Sequence, residues 1–191
     1  MEPWSFEPAG RFEEAVIVSD ALRGNVLGDP HERPLWVYLP PGYDDEPDRR
    51  FPAVYMIQGL TGQLDMWRNR EPFRPNYPEM VDELFAGGEA PPTLVAFVDC
   101  WTSLGGSQFL NSPGTGRYQD FLCDEAVAFV DERYRTIPDR EHRGIQGKSS
   151  SQSRRCASRS ARRDFRSRKA AARAADRRPT RGLCQTRSPE E

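Results

Sequence analysis

The sequence is poor in histidine. It holds only His31 and His142, and both precede the serine-bearing turn at residues 147–150. Histidine is the side chain that most often moves protons near neutral pH, so no residue of that type follows the turn to serve it as a base. Cysteine is scarce too. Cys100, Cys123, Cys156 and Cys184 form no CxxC pair and no zinc spacing. No metal site is expected, and the thiols are expected to be free in a reducing compartment. No apolar run approaches the roughly 20 residues that span a bilayer, and residues 1–8 lack the basic start and apolar stretch of a signal peptide. A cytoplasmic protein without a membrane partner is expected.

The last 41 residues lack aromatic side chains almost entirely. All four Trp, all six Tyr and nine of the ten Phe lie before Ser151. Residues 1–150 carry 14 Lys+Arg against 25 Asp+Glu, a net charge of −11, whereas residues 151–191 carry 13 against 4, a net charge of +9. Burial gains scale with apolar area, and the second segment has too little of it to offset its ordering entropy. Residues 1–150 are therefore expected to fold, and the Arg/Ser/Ala-rich residues 151–191 to be a disordered tail.

The first segment alternates strands and helices. Residues 12–19 and 35–39 read as an antiparallel strand pair joined by a polar, turn-rich connection. Residues 51–57 and 93–98 are continuous apolar runs, as in strands buried on both faces. Residues 78–86 predict a short helix, and residues 117–135 a longer one with Tyr118, Phe121, Leu122, Ala126, Phe129 and Val130 at helical spacing. Residues 103–116 read as loop, and residues 143–146 as a last strand. This order predicts an α/β fold with a mixed, mostly parallel sheet and helices on both faces. Its site is expected beyond the carboxyl ends of the strands, where residues 58–62, 99–101 and 147–150 fall.

Gly147-Lys148-Ser149-Ser150 supplies the first four positions of G-x-S-x-G; position 151 is Ser rather than Gly. In such an elbow a sharp strand-to-helix turn lifts the serine hydroxyl above the sheet. The N–H of the next residue, here Ser150, then faces the developing oxyanion. The bland reading is a serine-rich surface turn. The match to a phosphate-binding P-loop fails at one position, because that motif needs a glycine where His142 stands.

Further stretches match in order: Val37-Tyr38-Leu39-Pro40-Pro41-Gly42-Tyr43, Phe51 to Tyr55 leading to Gly59-Leu60-Thr61, Asn111-Ser112, Gly116, Tyr118, Tyr134 to Pro138, and Arg143 to Ser150. Together they make the chain similar to the esterase branch of the α/β-hydrolases, which includes esterase D-type S-formylglutathione hydrolases and enterochelin and feruloyl esterases. The similarity covers the N-terminal part only. It implies a serine carboxylesterase or acyl hydrolase working through an acyl-serine on a small-molecule carboxylic ester, with no cofactor. It implies Ser149 as nucleophile and the N–H groups of Leu60 and Ser150 as the oxyanion hole.

The pattern then breaks. This fold orders its triad Ser…Asp/Glu…His, and no histidine follows Ser149. His142 opens the strand that ends at the serine turn, some 16 Å away at roughly 3.3 Å per residue. His31 reads as a solvated loop residue. The switch in composition at residue 151 suggests a frame change near that codon, leaving an incomplete α/β-hydrolase that is truncated and inactive. An alternative is a non-catalytic protein that binds nucleic acid or an acidic partner through the basic segment. Nucleic acid is the less favoured partner, since no aromatics interleave the arginines. The sequence leaves the oligomeric state open.

Overall fold

The computed structural model describes residues 7–147. The proposed tail and its boundary at residue 150 lie outside them. Nine strands occur among the described residues: β1 (Arg11–Val18), β2 (Glu32–Leu39), β3 (Ala53–Ile57), β4 (Leu94–Val98), β5 (Trp101–Thr102), β6 (Gly105–Gly106), β7 (Asn111–Ser112), β8 (Gly116–Arg117) and β9 (Arg143–Gly147). Five form one sheet in the order β1-β2-β4-β3-β9. β3 runs parallel to both β4 and β9, whereas β2 is antiparallel to β1 and β4. Only β2 therefore points against the others, which makes the sheet mixed and mostly parallel in direction.

Side-chain alternation divides the central strands between two cores. Leu35, Val37 and Leu39 of β2, Tyr55 and Ile57 of β3, and Ala96 and Val98 of β4 pack with Phe121, Leu122, Ala126 and Val130 on one face. Trp36, Tyr38, Met56, Val95 and Phe97 pack on the other with Leu64, Trp67 and Val81. Both faces being covered explains why residues 53–57 and 94–98 are apolar without alternation.

The helices supply that cover. α1 (Tyr77–Ala86) starts on a capping box in which Asn76 accepts from the Glu79 N–H and Glu79 accepts from the Asn76 N–H, each at 2.9 Å. The second helical stretch opens as α2 (Tyr118–Asp120), widens into a π-helical segment (Phe121–Ala126) and returns to α3 (Val127–Arg133). It ends at Arg133, two residues short of the sequence reading. Leu64–Arg68 forms a 3-10 turn that the sequence reading left unassigned.

Two other expectations are corrected. The glycine-rich residues 103–116 are not plain loop: they contain β6, β7 and the start of β8, and the pairs β5–β6 and β7–β8 are tight hairpins. Glycine at positive φ makes these reversals possible, at Gly105 (φ 104°) and Gly116 (φ 118°). The free-thiol expectation holds for buried Cys100 but not for Cys123, which is disulfide-bonded. No helix among the described residues is long and apolar enough to cross a membrane, and none of their side chains cluster as a metal site.

Candidate active site

The three parallel strands deliver their carboxyl ends to one edge of the sheet. The loops after β3 and β4 and the end of β9 meet there because the ladders pair Met56 with Phe97 and Ile57 with Gly147. The first of these is a β-turn, in which Gly62 N–H donates to the Gly59 carbonyl at 3.1 Å. Gly62 is tightly packed: a Cβ there would lie 2.9 Å from Gln58 Cβ and 2.3 Å from the flexible Met66 thioether. Leu60 stands at the top of this turn, 55% exposed, and its N–H donates to no acceptor among the described residues.

Gly147 ends β9 against the base of the same turn. A Cβ at this position would meet the Ile57 carbonyl oxygen at 2.1 Å and Ile57 Cγ1 at 2.6 Å. The first glycine of the G-x-S-x pattern is thus required by backbone contact between β9 and β3, not only by the turn that follows. Ser149 and Ser150 lie outside the described residues.

Neither histidine stands at this junction. His142 closes a 3-10 turn (Arg140–His142) at the amino end of β9, with Nδ1 2.9 Å from both carboxylate oxygens of Asp139. The imidazole holds the Asp139 carboxyl below its usual range, chiefly through that hydrogen bond. His31 immediately precedes β2. Because β2 is antiparallel to β4, its amino end lies on the same sheet edge as these loops. It is nevertheless three strand spacings from β9, roughly 14 Å at about 4.8 Å each.

A feature that the sequence reading did not single out lies beside the turn. A cavity of about 580 Å³ opens where the start of β2, the 3-10 turn and the end of β4 converge, lined among others by Arg33, Asp99, Trp36, Trp101, Arg68 and Asp65. Arg33 and Asp99 are an ion pair buried in its wall. Arg33 also donates to the carbonyls of Trp101 and, at 3.2 Å, Pro30. Burial pushes the Asp99 carboxyl above its usual pKa, and the Arg33 charge opposes this without cancelling it. Arg68 lies 3.6 Å over the Trp36 ring and bonds Glu14 at 2.8 Å. Arg33 precedes the apolar run at residues 35–39, in the stretch that reads as a polar connection, so the sequence did not mark it.

Among solved structures, the chain is similar to a ferulic acid esterase at 25% identity, with a TM-score of 0.56 over 76% of this chain and 50% of that one. It is also similar to a ferulic acid esterase from Anaeromyces mucronatus, solved in complex with ferulic acid (18% identity, TM-score 0.53, 78% of this chain and 52% of that one). An S-formylglutathione hydrolase from Agrobacterium tumefaciens matches at 19% identity and TM-score 0.53, over 76% of this chain and 51% of that one. The chain thus spans about half the length of the structures it matches. Its sheet and flanking helices are those of the N-terminal part of an α/β-hydrolase. A family profile described as "Putative esterase" matches residues 29–153, a stretch that runs from before β2 through Gly59-Leu60 to beyond Gly147-Lys148-Ser149, and the chain belongs to that family.

Proposed function

We propose that this chain carries the nucleophile and oxyanion half of a serine carboxylesterase site. Ser149 Oγ attacks the ester carbonyl, its proton passes to a base, and the alcohol leaves from the tetrahedral intermediate to give an acyl-serine. The N–H groups of Leu60 and Ser150 hold the oxyanion while it forms. The substrate is a small-molecule carboxylic ester, and the chemistry calls for no cofactor. One observation supports this above the others: the family match takes in both the Gly59-Leu60 turn and the Ser149 position, and β9 is pressed against the base of that turn at Gly147.

The base is the missing part. His142 and His31 are both remote from the end of β9, and no histidine follows Ser149. Without a base the rate falls to what an oxyanion hole and binding alone supply, on the order of 10³–10⁴ over water. We read the chain as a truncated esterase of little activity, its frame changed near codon 151 where the composition switches.

Hydrolysis of p-nitrophenyl acetate tests this. The expected result is a slow rate, lowered further in Ser149→Ala. A kcat in the ordinary enzyme range of about 1–10³ s⁻¹ that disappears in Ser149→Ala would overturn the inactivity. An unchanged slow rate in Ser149→Ala would overturn the role of the serine. The charge split gives a second reading, in which the +9 segment binds nucleic acid or another acidic partner. It requires salt-sensitive binding to duplex DNA that is lost on deleting residues 151–191.

A further inference from the structure

We infer that the β5–β6 hairpin is the positioning element of the oxyanion turn, with Gly106 as the residue that sets the Leu60 peptide. The inference rests on the reading of Leu60 N–H as an oxyanion donor. An oxyanion hole works only if its donor is held in place before charge develops. A turn whose tip, Leu60 and Thr61, is exposed needs something to hold it.

The hairpin does so in three ways. Gly106 N–H donates to the Leu60 carbonyl at 2.7 Å, which fixes the orientation of the peptide unit following Leu60. The two chains approach so closely that a Cβ on Gly106 would lie 2.7 Å from the Gly59 oxygen and 3.2 Å from Leu60 Cα, while one on Gly105 would lie 2.9 Å from the Leu60 oxygen. The contacting atoms are backbone, so a side chain at either position must move the turn itself. The hairpin is in turn rigid. Thr102, 2% exposed, donates from Oγ1 to the Gly105 carbonyl at 2.6 Å and accepts from the Leu104 N–H at 3.1 Å.

Its far end is anchored in the sheet. Ser107 N–H bonds the carbonyl of buried Cys100 at 3.0 Å, and Trp101 pairs with Gly106. The next two residues, Gln108 (φ 57°) and Phe109 (φ 52°), sit in the left-handed region, uncommon for side-chain-bearing residues. Backbone of that kind persists only where its surroundings over-determine it. Position is thus passed from the end of β4 through the hairpin to Leu60.

The test uses the full-length ¹⁵N-labelled chain and phenylboronic acid. The serine Oγ adds to the trigonal boron, its proton goes to solvent, and the tetrahedral boronate places an oxygen in the oxyanion hole. In the parent, the Leu60 amide proton is expected to move downfield on saturation, and Ser149→Ala to abolish the shift. Gly106→Ala should weaken boronate binding about 100-fold, the scale of losing one oxyanion donor, and erase the Leu60 shift. Thr102→Val should weaken it about 10-fold, as for one lost hydrogen bond, and Thr102→Ser should restore it. Parent-like binding with an intact Leu60 shift in Gly106→Ala would overturn the inference.

If the parent does not bind the boronate, the Ser149 reading fails by itself, and amide exchange decides the hairpin. The Gly62 amide should then exchange at least about tenfold faster in Gly106→Ala than in the parent, with the β4 amides unchanged. Equal exchange at Gly62 would sink the inference.

Discussion

The middle of the sheet and its β9 edge are built from the same chain by different means. All five residues of β4 are buried, and four of the five of β3. In β9, residues 143–145 are half-buried and Gln146 and Gly147 exposed. Among the described residues β9 pairs with β3 alone. The middle strands are held by two cores, one on each face. β9 is held mainly by its ladder to β3 and by the Arg143–Asp131 ion pair. The candidate site lies across this boundary: the Leu60 turn and its hairpin belong to the well-packed side, and the serine follows the sparsely packed strand. The two halves of the proposed site thus rest on regions that are packed unequally.

The sharpest way to break this contrast is to truncate one side chain in each region. Phe97 is fully buried and lies against the rings of Phe12, Trp67 and Tyr77. Phe97→Ala should cost about 3–5 kcal/mol. Ile145→Ala, at a half-buried position, should cost about 1 kcal/mol in proportion to the area it covers. Urea denaturation of both variants measures the difference, and equal costs would show that β9 is as well packed as the centre.

A second test sharpens the contrast through charge. Arg33→Met removes the partner of buried Asp99, and breaking a buried pair in this way typically costs about 3–5 kcal/mol. The pH dependence has a definite sign. Burial raises the folded-state pKa of Asp99 above its ordinary value. The neutral acid is therefore tolerated at low pH, and stability is lost as pH rises through the raised pKa. Without Arg33 that pKa rises further, so the deficit of the variant should be smaller at pH 4 than at pH 8. A deficit that shrinks with rising pH would contradict the assignment of burial as the dominant effect.

Legibility in the sequence follows the length of each element. The apolar runs at residues 51–57 and 93–98, and the spacing of Tyr118, Phe121, Ala126 and Val130, predicted elements found within a few residues of their positions. Strands of two residues, such as β5 and β6, are too short for any periodicity to register. Their glycines read as loop because glycine marks turns more often than close backbone contacts. The Arg33–Asp99 pair is invisible for another reason: its partners are 66 residues apart, and only the antiparallel register of β2 on β4 joins them. Leu60 could be picked out only by likeness to a family, because nothing in its own sequence neighbourhood marks an N–H without an acceptor among the described residues.

The finest test acts at the boundary itself. Gly147 touches Ile57 so closely that even a methyl group has no room, at 2.1 Å from a carbonyl oxygen that cannot swing aside without breaking the sheet. Gly147→Ala must therefore push the end of β9 away from β3, at a cost of about 1–3 kcal/mol by analogy with overpacked cores. Because β9 adds little burial, that loss should leave the cores intact and fall on the strand alone. Hydrogen exchange should show faster opening at residues 143–147 with the amides of β2 and β4 unchanged. Global destabilisation, with the central amides exchanging faster by the same factor, would mean that β9 and the middle of the sheet unfold as one unit.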